Sequence, residues 1–482
     1  MLLTAPTLLM FGASALLVLF VIKCFQRAFT GPLRSIPGPR LNRCTNLPLK
    51  YYVLRGQRCH YIHRLHAQYG PTVRIGPEEI AIADLASSRE IHRIGSGYVK
   101  TAWYARFTGE QNPGVFAMSN LKDHAMRRKL FSYAFSQNGL LHWEDLLQGR
   151  SNLAVSRIKQ EAESGSADIL KWWSLMATDI ITEMGFGESL GALEYGQQTQ
   201  QSRDLEMITI FGAVQSELAP LSTFAFAIPL PFIQEFRYCQ DRMTKHGMTA
   251  VARNRALSEK GETGRTVFNK IVAEAGNESA LTDAMLADEA RAFIIAGSDT
   301  TARTLTYLIW ATLKHPSVKQ RLQDEVDRLP TGFSGKDAME LPYLMAIIKE
   351  TLRLYSAAPG SLPRSVPSGG RTLGGYLLPQ GTTVSTQAWT LHRDAAIFER
   401  PLDFIPERWF EPTQNMKDAF MPFGGGSRIC LGIHLAYIEM ALPAAKFFRA
   451  CPTATIKTTD EDMEVVNHLL IAPKGHKCGI GL

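Results

Sequence analysis

Hydrophobic and polar residues change their spacing several times along the chain, and each change marks an element. Leu8 to Ile22 is almost wholly apolar, and no charged side chain occurs from Met1 to Ile22. As a helix that stretch spans roughly 33 Å, enough to cross a hydrocarbon core. A cleaved signal peptide would carry basic residues before the apolar run and small residues after it. Here the first charges follow the run, at Lys23, Arg27 and Arg34, and bulky residues surround them. A retained anchor over 1–22 with its C-terminal flank in the cytosol is the expectation. Ser35-Ile36-Pro37-Gly38-Pro39-Arg40 then reads as a stiff, helix-denying connector, giving a linker over 23–41.

Beyond it, short strand-like runs at Val73-Arg74-Ile75 and Thr382-Thr383-Val384 predict a small sheet near the anchor. Helical periodicity dominates from Leu121 onward. The longest pattern, Ala284 to Lys314, predicts one continuous helix of roughly 46 Å, stopped by His315-Pro316. Ser258 to Asn277, rich in Glu, Lys and Gly, reads as an exposed polar connection. No second boundary falls inside 42–482, which is taken as one catalytic unit.

Composition narrows the class. With 482 residues, 45% apolar and 20% charged, the chain has the make-up of a large globular protein. Its net charge of +7 comes from dispersed basic residues with no lysine-rich arm, which favours a membrane surface or an acidic partner over nucleic acid. Seven scattered cysteines form neither a disulfide framework nor a zinc spacing, and point to a reducing compartment.

One of those cysteines stands apart. Phe423-Gly424-Gly425-Gly426-Ser427-Arg428-Ile429-Cys430-Leu431-Gly432 is a glycine-rich loop running into a helix. A helix start helps keep a thiolate ionised, glycines let backbone lie against a flat ligand, and Arg428 can meet a carboxylate with a forked pair of bonds. Together these suit a cysteine bound axially to haem iron, with a haem propionate on Arg428. Inside the long helix, Ala296-Gly297-Ser298-Asp299-Thr300-Thr301 places an acid beside a hydroxyl, a proton route in an apolar helix. The plainer use of such a hydroxyl is a back-bond to the preceding turn. Glu350 and Arg353, three apart on one helix, can pair. His124 and Arg128, four apart, face one side of a helix beginning near Leu121, while Arg127 and Lys129 are assigned to its solvated face.

In order and spacing these motifs resemble the cytochrome P-450 superfamily. The resemblance implies a mainly helical prism with a smaller sheet-rich part, preceded by one transmembrane helix. It implies haem b with Cys430 as axial ligand, cradled by Phe423 and Gly424, and propionates held by Arg428, His124, Arg128 and Arg364. It assigns proton delivery to Asp299 and the placing of activated oxygen to Thr300. Glu350, Arg353 and Arg408 become a buried network behind the cysteine loop, with Trp409 where the family usually has Phe and His124 where it often has Trp. By family position Phe293, Ala296, Ala357 to Leu362, and Leu469-Leu470 line a pocket for a hydrophobic organic substrate. The implied reaction is monooxygenation, with electrons from NADPH through a flavoprotein reductase, cytochrome b5 as a further partner, and the endoplasmic reticulum as location. Met176-Ala177-Thr178-Asp179 ahead of Gly185-Phe186-Gly187 is similar to fungal secondary-metabolism members. Two other readings stand beside it. A haem-thiolate isomerase or dehydratase would need neither dioxygen nor reductase, and a haem carrier or gas sensor would need no proton route.

Overall fold

The computed structural model describes residues 28–109, 113–197, 200–218, 231–260, 266–268 and 281–482, with scattered positions from 14 onward. The expected transmembrane span thus lies almost entirely outside the described residues, among which no helix is long and apolar enough to cross a membrane. Helices dominate, with four small sheets among the described residues. Those that frame the site are α1 (Leu121–Ser132), α2 (Glu144–Glu163), α3 (Ile169–Phe186), α4 (Asp283–Lys314), α5 (Pro342–Leu354) and α6 (Ile433–Ala450).

The long helix α4 begins where Thr282 accepts the Met285 amide in its side chain, and it ends at His315, just before Pro316. Its apolar face carries Leu286, Ala290, Ile294, Ala302, Leu305 and Ile309, all buried in the main core with α3, α5 and α6. Burying each such side chain contributes roughly 1.5–3 kcal/mol, which sets the helix firmly through the middle of the molecule. Gly297 has a packing reason. A Cβ there would lie 2.7 Å from the Ile181 side chain on α3, so only glycine lets these two helices approach so closely.

The largest sheet has the order β1-β2-β5-β4-β3, from Thr72–Arg74, Glu79–Ile82, Val99–Lys100 (β3), Arg364–Ser365 (β4) and Thr383–Thr386 (β5). Strands β1 and β2 form a hairpin with Thr72 opposite Ile82, and β2 runs parallel to β5 with Glu79 opposite Thr383. Both strand-like runs read from the sequence thus share one sheet. A hairpin of β6 (Val465–Asn467) and β7 (Ile471–Pro473) lies near the C-terminus.

Two segments add to or depart from expectation. The proline stretch is packed on the domain. Pro32–Ser35 forms a 3-10 turn, Ile36 is fully buried, and the fully buried Arg74 donates to the carbonyls of Ala28, Leu33 and Pro77. A guanidinium has donors enough to hold several carbonyls at once, so the linker is strapped to the sheet. Likewise the polar run after Ser258 is not exposed throughout. Thr266–Phe268 are buried, and Phe268 stacks on Phe186 at 5.4 Å, because Val267-Phe268 is an apolar pair inside a polar stretch.

Candidate active site

The cysteine loop is shaped by backbone geometry before any ligand is considered. Gly424 and Gly426 adopt left-handed φ of 72° and 61°, and a Cβ on Gly426 would collide with the His92 carbonyl. The Cys430 amide donates to the Phe423 carbonyl at 2.9 Å, closing the loop, and α6 starts three residues on. Cys430 keeps accessible surface while lying deep among protein atoms, so it faces an internal cleft. Burial pushes its thiol upward, and the Gly432 amide and the Arg128 guanidinium draw it back down. Arg128 on α1 is fixed beside it by a 2.7 Å bond to the Ile429 carbonyl.

Around this loop the fold collects positive charge. Arg428 donates to the Ser119 carbonyl at 3.1 Å, while its Nη1 is buried without a partner. Burial lowers Arg428 to about 10, and Arg364 and Arg128 add to the shift. Arg364, on β4, donates to the Tyr104 hydroxyl at 2.7 Å. Lys100, on β3, donates to the Phe116 carbonyl, and burial followed by Arg364, Arg428 and Arg128 drives it well below its ordinary range. His124 is buried and pushed down to about 3, first by burial and then by Arg428, Lys100 and Arg128. A carboxylate placed against His124 would oppose this shift. Every charge acting on Lys100 and His124 is positive. Such surroundings favour an anion bound against them.

The network behind the loop is complete. Glu350 is fully buried and accepts from Arg353 Nε (2.9 Å) and Nη2 (2.8 Å), Arg408 Nε (3.1 Å), the Ile405 amide (2.9 Å) and Trp409 Nε1 (2.9 Å). Arg353 spends its other donors on the carbonyls of His392, Pro401 and Asp403. The tryptophan at 409 thus adds a donor that phenylalanine lacks.

On α4 the acid and the alcohol are each engaged elsewhere. The Thr300 hydroxyl donates to the Ala296 carbonyl at 2.6 Å, the back-bonded arrangement, and Asp299 Oδ2 accepts from Arg303 Nη2 at 2.6 Å. Ala296 is exposed on the open face of the helix. Leu362 is half-buried, with its side chain 3.8 Å from where a Cβ on Gly424 would stand, and so lies beside the cysteine loop. Leu469 is half-buried in the turn between β6 and β7. Phe293 packs into an aromatic cluster, 4.7 Å from Phe131 and 5.6 Å from Phe268, which ties it to the core.

A family model described as cytochrome P-450 matches residues 37–479. The chain belongs to the cytochrome P-450 family. Among curated relatives, the P-450 is 40% identical to the cytochrome P-450 monooxygenase tazI of Aspergillus terreus, over 96% of each chain. It is also 40% identical to the monooxygenase stcB of Emericella nidulans, over 96% of this chain and 91% of that one. The averantin hydroxylase of Dothistroma septosporum is 30% identical over 90% of this chain and 83% of that one.

The family's haem suits the residues present. The buried, unpartnered Nη1 of Arg428 and the all-positive surroundings of Lys100 and His124 suit a group that carries carboxylates. Arg128, Arg364, Arg428 and His124 would take those carboxylates, and Cys430 the iron. Lys100 and Tyr104 join them, although no local pattern marks either; only the pairing of β3 with β4 brings Lys100 to Arg364.

Two further residues were assigned wrongly or not at all from sequence. Arg127 is not on a solvated face. It pairs at 3.0 Å with Glu289 on α4, whose side chain is 1% exposed and also accepts the Val115 amide. Glu439, on α6, is buried and accepts the Thr301 hydroxyl at 3.0 Å, while its Oε1 has no partner. A lone acid in the apolar run Ile433–Ala450 was the readable signal.

Burial pushes Glu439 up to about 8, against the pull of Thr301. The unfolded carboxyl ionises near 4.5, so between there and about 8 folding must take up a proton. Its contribution to stability therefore falls as pH rises through that window and is flat above it. Glu439→Gln removes the titration and keeps an acceptor for Thr301. The stability of the variant relative to the parent is expected to rise by about 1.4 kcal/mol per pH unit across the window. Paired thermal melts at pH 5 and pH 8 check this, and equal differences at both would refute the buried-acid assignment.

Proposed function

We propose that this P-450 is a membrane-anchored monooxygenase of secondary metabolism that inserts one oxygen atom into a hydrophobic organic substrate. The observation that carries the reading is the pairing of an accessible cysteine at a helix start with an acid–alcohol pair on the helix across the core. A rearranging or dehydrating enzyme has no use for that pair, and neither does a carrier or sensor.

Bound haem supplies the activation of dioxygen with two electrons and two protons. The chain's own residues do the rest. Arg128, Arg364, Arg428 and His124 neutralise and orient the carboxylate edge of the group. The Gly432 amide and Arg128 favour the thiolate form of Cys430. Asp299 passes protons toward the cleft, and Thr300 presents the hydroxyl that receives them once it leaves the Ala296 carbonyl. Ala296, Leu362 and Leu469 offer small or apolar surface, which favours a hydrophobic ligand.

Electrons come from NADPH through a flavoprotein reductase, with cytochrome b5 as an alternative donor. A cleft of about 740 Å³ beside the cysteine loop is lined by Arg93 and Lys417 along with Glu90 and an Arg89–Asp418 pair, and its two remaining basic residues favour docking of an acidic surface there. The apolar run before Lys23 and the basic residues after it favour an endoplasmic reticulum membrane location with the domain in the cytosol.

The test reconstitutes the full-length enzyme in membranes with reductase and NADPH under labelled dioxygen. Averantin, after which one relative is named, is the first substrate to try. One labelled oxygen per product molecule and one NADPH consumed are expected, with the protein in the membrane fraction. Turnover without NADPH would overturn the reading in favour of a rearranging enzyme.

A further inference from the structure

One ion pair on the oxygen helix is left over from the roles above. Asp299 and Arg303 are four apart on α4, acid first, the favourable order for a helical pair. Their side chains are only 18% and 12% exposed, so this is not a solvated surface pair. Arg303 does more than hold the acid. Its Nη1 donates to the Ile471 carbonyl at 3.0 Å, at the start of β7. The Ile471 amide in turn donates to the Ala357 carbonyl at 2.8 Å. Ile471 follows the hairpin turn that carries Leu469 and Leu470, and Ala357 opens the segment that runs to Leu362. A single guanidinium therefore links the relay acid to the residue where two pocket walls are hydrogen-bonded together.

The acid's present partner matters for its task. The pairing at 2.6 Å holds Asp299 Oδ2 on Arg303, and the acid shares no hydrogen bond with Thr300 here. The turn of this hairpin carries Leu469, which the family resemblance assigns to the pocket wall, so it is the part of the linkage that a bound ligand would meet. We propose that Arg303 is a positioning residue that withholds Asp299 from Thr300 until substrate displaces the β6–β7 hairpin, so that proton delivery follows occupancy of the pocket. The bland alternative is a helix-stabilising pair worth about 0.3–0.5 kcal/mol, which would leave proton delivery untouched.

The proposal rests on the monooxygenase reading, so its test needs neither reductase nor substrate. Full-length holoenzyme is reduced chemically, mixed with oxygen, and the return of the oxidised absorption spectrum is timed across a pH series. Arg303→Gln frees Asp299 and should speed the substrate-free return about tenfold or more, with the rate climbing as pH falls because protons are consumed. Arg303→Lys can still hold Asp299 and should stay within about threefold of the parent. Leu469→Gly leaves Arg303 intact, loosens the half-exposed hairpin turn, and should speed the return about threefold. It also keeps the test alive if Arg303→Gln fails to take up haem. A parent-like rate in Arg303→Gln with full haem content overturns the proposal, as does Arg303→Lys matching Arg303→Gln. An unchanged rate in Leu469→Gly overturns the link to the hairpin. Failure of the labelled-oxygen experiment with these rates as expected would instead remove the monooxygenase reading alone.

Discussion

Glu350→Ala is expected to yield no haem-loaded protein. The wild-type carboxylate is fully buried and accepts five hydrogen bonds, from Arg353, Arg408, Trp409 and the Ile405 amide. Removing it strands the Arg353 guanidinium, itself fully buried, beside Arg408. Breaking a buried pair by deleting one partner typically costs 3–5 kcal/mol, and two cations here lose their counter-charge together. Domains of ordinary stability have about 5–15 kcal/mol to lose in all. Glu350→Gln keeps the shape and some acceptor capacity but not the charge, and should retain a small folded fraction. Soluble yield and haem per chain decide the matter; a haem content near that of the parent in Glu350→Ala would show that the network is dispensable.

Replacing Cys430 with Ser should erase the long-wavelength carbon monoxide band of thiolate-ligated reduced haem. Among the described cysteines only Cys430 is exposed. Cys59 and Cys239 are pushed up to about 12 and Cys451 to about 11 by burial, so none is ready to act as a thiolate in its place. The serine hydroxyl is a far weaker acid than the thiol, so it rarely supplies an anion and is a poorer iron ligand. Haem should still enter, because Arg128, Arg364 and Arg428 would remain to hold its carboxylates. Survival of the band in Cys430→Ser would place the iron ligand elsewhere.

What the sequence made legible follows from how locally each feature is encoded. The α4 helix was readable to within a residue, since its apolar period is long and His315-Pro316 ends it. Glu350 and Arg353 were readable because they lie on one turn, and the cysteine loop because its glycines are contiguous. Lys100, Tyr104 and Glu289 were not, since each reaches the site through chain segments far away in sequence. Arg127 was misjudged for the same reason: its partner Glu289 is 162 residues distant. The Thr300 back-bond and the Asp299–Arg303 pair were both within one helical turn, yet residue types alone do not say which of several partners a hydroxyl or carboxylate takes.

The strap between Arg74 and the proline stretch sets where this chain can be cut. Its guanidinium is held by carbonyls at Ala28 and Leu33, upstream of the proline motif that looks from sequence like the natural place to sever an anchor. Trimming at Pro37 or Pro39 would remove both acceptors and the buried Ile36, and expose the face of the sheet they cover. A soluble version should therefore begin just ahead of Ala28, keeping the last few residues that look dispensable. The same strap fixes the point from which the chain departs at Ala28, so an anchor upstream would be joined to the globule at a rigid mount and not through a loose tether.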